Sequence, residues 1–146
     1  MFSDPYPAAV VQLNSTTTLE DNLEKTYNYI QEASSKGARV VGLPENFAFL
    51  GGLSMRMEHA DEIANRVPEF LSATAEEFNI FLQGGSYPIP AENGKVRNHA
   101  NLYGPDGNEV AGYDKIHLFD VDLSGDESYR ESDYVQPGER EAIVYE

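Results

Sequence analysis

The stretch from Ala8 to Leu43 constrains this chain more than any other: a short apolar run, an amphipathic helix, and a second short apolar run, all within about 36 residues. Ala8-Ala9-Val10-Val11-Gln12-Leu13 lies between Pro7 and the polar cluster Asn14 to Thr18, which predicts a buried strand and its exit loop. Leu19, Leu23, Tyr27, Ile30 and Ala33 then recur at helical spacing. Thr18 is placed to cap this helix, with Asp21 three residues on, and Gly37 supplies a stop. Arg39-Val40-Val41-Gly42-Leu43 reads as the second buried strand, giving a βαβ unit.

The pattern repeats after Gly51-Gly52. Pro68 is expected to open a helix whose Phe70, Leu71, Thr74 and Phe78 share a face, and Ile80 to Gly84 reads as a third strand. Residues 98–103 and 109–113 flank Gly104-Pro105-Asp106-Gly107, where Pro presets φ and Gly accepts positive φ, so a hairpin is predicted. From there to Pro137-Gly138 the chain reads as loop, and Ala142 to Glu146 as a strand only beginning. The expected architecture is one α/β module, with helices on a sheet that starts parallel and continues through an antiparallel hairpin. No internal repeat or linker divides it. A chain of 146 residues with 40 % apolar content suffices for a core.

Charge and composition exclude several classes of function. Twenty-five acidic against 10 basic residues, a net charge of −15, oppose a nucleic-acid or anionic-membrane surface, where Lys and Arg must meet phosphates. No apolar window approaches the roughly 18 residues of a membrane span, and the N-terminus lacks the pattern of a secretory leader. A cytoplasmic location is the expectation. The chain has no cysteine, so disulfides and thiolate zinc sites are out. His59, His99 and His117 show no metal-ligand spacing, and neither a metal nor a cofactor is expected. Gly85-Ser86-Tyr87 lacks the glycine arrangement of a serine elbow, and no phosphate-cradling loop is present.

Two residues remain as candidates for chemistry. Glu45 directly follows the second strand, behind Pro44, which ends regular pairing, and strand carboxyl ends are where sites collect in such sheets. A carboxylate there can serve as a general base. Lys115 follows the outgoing arm of the hairpin, where an ammonium can stabilise an oxyanion. The competing motif runs from Asp120 to Glu131, which has the oxygen-donor and glycine spacing of a calcium-binding EF-hand loop. That loop needs a helix on each side. Here Val110 to Tyr113 reads as strand and Pro137-Gly138 follows, so an acidic surface loop is the better reading.

The runs Val40 to Phe47, Asn101 to Gly107 and Tyr113 to Asp120 together resemble the nitrilase superfamily of carbon–nitrogen hydrolases. The resemblance spans nearly the whole chain and implies an α-β-β-α sandwich, here an incomplete N-terminal half with a mixed sheet. It implies that residues 1–146 are the N-terminal portion of a single domain. Within it, Glu45 matches the family's general base, Lys115 the residue that stabilises the tetrahedral intermediate, and Glu131 the glutamate that supports the lysine. The family's nucleophilic cysteine matches nothing, and the chain is expected to stop just before it.

The implied reaction is hydrolysis of a small-molecule amide by Glu-Lys-Cys chemistry, with this chain inactive alone. Leu43-Pro44-Glu45-Asn46-Phe47 resembles the branch that acts on deaminated glutathione and related ω-amides. Arg56, Arg66, Arg97 or Arg130 could anchor a substrate carboxylate. The alternative is a non-catalytic half-domain that pairs with a complementary chain or with itself, because an unfinished sheet exposes an edge and an apolar face.

Overall fold

The computed structural model of the protein describes residues 5–122, 128–139 and 143–145. The βαβ expectation holds: β1 (Ala8–Val10) pairs in parallel with β2 (Val40–Gly42), and α1 (Leu19–Ser35) connects them. Strand β3 (Phe81–Gln83) adds in parallel to β2 and pairs antiparallel with the end of β5 (Val96–Tyr103). β4 (Tyr87–Pro90) takes the first half of the same β5 edge, and β6 (Glu109–Asp114) covers its other edge. The hairpin from 98 to 113 is therefore present and lengthened, and the sheet is mixed.

Ala9, Val41, Leu82 and Tyr103 lie in register across four strands on the face that carries the helices. They pack with Leu23 and Ile30 of α1 and with Ile63, Val67 and Leu71 of α3 (Ala60–Phe78). Burial of the last three and of Val41 and Leu82 is complete, which makes this face the main source of hydrophobic stabilisation, at roughly 1.5–3 kcal/mol per such side chain. By the two-residue alternation of strands, Val10, Val40 and Phe81 turn to the opposite face, where Val10 is 93 % exposed. There the ring of Tyr145 lies 6.0 Å from that of Phe81.

Four expectations need correction. Pro68 does not open a helix; it sits inside α3, which begins at Ala60 after the short α2 (Leu53–Glu58). The stripe Ala60, Ile63, Val67, Leu71 and Ala75 runs straight through it, and that burial outweighs the one hydrogen bond a proline cannot donate. Thr18 stands at the N-cap of α1 without a side-chain capping bond. Asn22 ties down this entry instead: it accepts from the Thr16 N–H (3.0 Å) and donates to the Thr16 and Ala48 carbonyls (2.8 Å each). The span from 115 to 138 is not simply loop. β7 (Asp120–Asp122) and β8 (Ser128–Arg130) form an antiparallel pair, and Val135 bridges in parallel to Val96. Of the strand expected at 142–146, residues 142 and 146 lie outside the described residues, and 143–145 form no strand.

Candidate functional site

The segment that presents Glu45 is rigid for reasons visible in its neighbours. After β2, the Leu43 N–H still donates to the Gln83 carbonyl at 3.0 Å, and the chain then turns at Glu45-Asn46, with Asn46 at φ 54°. Behind the turn, Phe47, Ala48 and Phe49 are buried and held by Ser15 Oγ on the Phe47 carbonyl (2.9 Å) and by Asn22 on Ala48. In front, the Asn46 N–H donates to Ser86 Oγ at 3.2 Å. Gly85 passes so close that a Cβ there would stand 2.1 Å from the Pro44 carbonyl oxygen. Ser86, which carries no nucleophile pattern, thus shapes the turn that aims Glu45. Gly84-Gly85 at the carboxyl end of β3 was the sequence signal for that close approach.

Lys115 follows β6 directly. Its backbone N–H donates to the Asn98 carbonyl at 2.9 Å, and its carbonyl accepts from the Gly138 N–H at 3.0 Å. Gly138 allows this approach because a Cβ there would meet the Asp114 carbonyl oxygen at 2.4 Å. Glu131 begins a single 3-10 turn after β8 and is only 4 % exposed. Its Oε2 accepts from the Phe119 N–H at 2.6 Å, which fixes the carboxylate plane.

These elements bring the three candidate residues together. Lys115 Nζ lies 3.2 Å from Glu45 Oε1 and 3.1 Å from Glu131 Oε2. Glu45 Oε1 also accepts from Asn98 Nδ2 at 2.6 Å, a contact that the sequence gave no reason to expect. Asn98 is buried, and its Oδ1 has no partner among the described residues. Burial of Lys115 disfavours its charge, but the hydrogen bonds and charges of Glu131 and Glu45 prevail and hold the ammonium above the ordinary lysine value of 10.5. It therefore stays protonated and acts as a fixed cation with three donors, two of them committed to carboxylates. A cavity of about 350 Å³ opens onto the cluster, lined by Glu45, Lys115 and Glu131 with Asn46, Arg56, Phe119 and Tyr129.

The calcium-loop spacing finds no support in this geometry. Its first, third and last donors are engaged elsewhere: Asp120 with Ser132, Asp122 with Arg130, and Glu131 with Lys115. Residues 123–127 of that loop lie outside the described residues. Among the described residues, no group of three His, Cys, Asp or Glu could hold a metal ion, and no helix is long and apolar enough to cross a membrane. His99 is occupied in a separate polar cluster, with Nδ1 2.6 Å from Asp114 and Nε2 3.0 Å from Asn101 Nδ2.

Known proteins resemble this chain over most of its length. The family described as carbon-nitrogen hydrolase matches residues 7–146. The deaminated glutathione amidase of Synechocystis is 41 % identical over 143 residues, 97 % of this chain and 53 % of that protein. The omega-amidase NIT2 of Homo sapiens is 39 % identical over 132 residues, 90 % of this chain and 47 % of that protein. A glutamate-to-glutamine mutant of the amidase from Nesterenkonia sp. AN1, with acrylamide added at its active-site cysteine, matches at TM-score 0.80 and 24 % identity. It covers 95 % of this chain and 52 % of that one, and the likeness shows a shared fold. The chain spans about half the length of the curated relatives it matches.

Proposed function

The chain belongs to the carbon–nitrogen hydrolase family, and on that premise we propose that it carries the Glu45, Lys115 and Glu131 portion of an amide-hydrolysing site whose thiol lies outside these 146 residues. Residues 1–146 are then the N-terminal portion of one hydrolase domain. One observation carries the reading: Lys115 is held between two carboxylates, 3.2 Å from Glu45 and 3.1 Å from Glu131, at the mouth of a cavity.

In the completed site, Glu45 accepts the thiol proton and the sulfur attacks the amide carbonyl carbon. The third Lys115 donor, free of both glutamates, meets the oxyanion. Collapse of the intermediate breaks the C–N bond, Glu45 returns the proton to the departing nitrogen, and ammonia leaves behind a thioester. Water, deprotonated by Glu45, hydrolyses that thioester to the carboxylic acid and releases the thiol. Glu131 is a positioning residue, because it pins Lys115 from the buried side. Amide rather than nitrile as substrate follows the names of the relatives.

Alone, the chain can polarise a carbonyl but has no covalent route, so it is expected to be inactive. The second reading, a half-domain that pairs with a complementary chain or with itself without turnover, is favoured by the open sheet face around Val10. Co-expression with the remainder of the Synechocystis relative separates the two. Ammonia release from succinamate, lost on Glu45→Gln or Lys115→Met, supports the hydrolase reading. A folded complex without release supports the non-catalytic one.

A further inference from the structure

We propose that Arg56 is the specificity-determining residue of this site, and that its guanidinium grips a carboxylate at the end of the substrate remote from the amide. The inference rests on the amide-hydrolase reading above and adds to it one residue and one chemical requirement on the substrate.

Of four arginines that could play this part, three are already committed. Arg66 pairs with Glu20 and Glu62, Arg97 with Asp114, and Arg130 with Asp122. Arg66 moreover lines a separate groove between α1 and α3. Arg56 alone of the four lines the cavity that holds Glu45 and Lys115, and among the described residues it enters no ion pair. With 25 acidic and 10 basic residues in the chain, a half-buried arginine that pairs with no carboxylate among the described residues is placed to receive one.

The side chain is also preorganised. Arg56 Nε–H donates to the Gly51 carbonyl at 3.0 Å, and its backbone N–H donates to the Gly52 carbonyl at 3.1 Å. Gly51 is wedged in turn: a Cβ there would meet Phe49 Cε1 at 2.8 Å and Thr17 Cγ2 at 3.3 Å. With Nε held, the two terminal nitrogens remain as the parallel donors that match a carboxylate. Charge gives the same answer. Glu45, Glu131 and Lys115 leave the cavity with one net negative charge, which repels an anionic substrate, and Arg56 cancels it. Lys115 cannot serve as this anchor, because two carboxylates already hold it.

The test is a titration of the whole 146-residue chain, followed by amide chemical shifts, with succinamate and with its neutral counterpart butyramide. Succinamate is expected to bind about tenfold or more tightly than butyramide. Arg56→Gln should remove that preference. Arg56→Lys should restore part of it, and Arg66→Gln should leave it intact. A native-like spectrum for each variant confirms the fold. If Arg56→Gln binds succinamate as the parent chain does, or if Arg66→Gln weakens it equally, the assignment to Arg56 is overturned while the amide site stands. If the parent chain binds neither amide, the anchor assigned to Arg56 is overturned, while the amide-site reading rests on the completed site.

Discussion

At the scale of single residues, the three members of the charged cluster differ in what their removal should cost. The Glu131 side chain is 5 % exposed and that of Glu45 is 55 % exposed, although both touch the same ammonium. Glu131→Gln strands a buried contact to Lys115 and weakens the bond to the Phe119 N–H, so a loss of about 1–3 kcal/mol is expected in urea unfolding. Glu45→Gln should cost less than about 1 kcal/mol, as exposed pairs do. Equal losses would mean that the two glutamates share one environment. Lys115 offers a second handle. Its folded pKa is raised, so the stability it contributes is fully present below the ordinary value of 10.5 and is lost as pH rises through the higher folded value. The stability gap between the parent chain and Lys115→Met should therefore be constant from neutral pH to about 10 and shrink above it. A difference is needed because Tyr103, pushed up to about 12 chiefly by burial and then by Glu109, titrates in the same range. A gap that widens with alkaline pH would contradict the sign.

Among the elements, what the sequence revealed depended on whether the signal was local. The βαβ unit and the hairpin were legible because apolar periodicity and turn residues are written in consecutive positions, as in Leu19 to Ala33 and Gly104 to Gly107. The start of α3 was not, because a proline at position 68 reads locally as a helix start, which the stripe from Ile63 to Leu71 overrides. β7 and β8 escaped notice for the opposite reason. Each is only three residues long and mostly exposed, and the pair is tied down through Asp120 to Ser132 and Glu131 to Phe119. Glu45 and Lys115 could be picked out by motif, yet their approach across 70 positions could not, and Asn98, Ser86 and the seating of Arg56 emerge only from the fold. The turn holding Glu45 gives a test at this scale. Gly85→Ala places a Cβ 2.1 Å from the Pro44 carbonyl oxygen at φ +56°, so a loss of roughly 2 kcal/mol or more is expected in urea unfolding. Gly37→Ala, also at positive φ but with nothing within 4 Å, should cost only about 1 kcal/mol. Similar losses at the two positions would show that the close approach to Pro44 does not constrain the turn.

At the scale of the molecule, the described residues form a six-stranded sheet with helices on one face, a separate two-stranded pair, and a charged cluster of Glu45, Lys115 and Glu131. The sheet's open face, with Val10 exposed and Tyr145 against Phe81, is where a second layer would pack in the sandwich that the resemblance implies. Glu45, Lys115 and Glu131 are assembled with hydrogen-bond geometry within these 146 residues. The most direct measurement is ammonia release from succinamate by the 146-residue chain alone, followed against a buffer blank and against Glu45→Gln. Release at the blank rate from both proteins is expected. Release above the blank that Glu45→Gln abolishes would contradict the reading, because it would mean that this half completes the chemistry without a sulfur nucleophile.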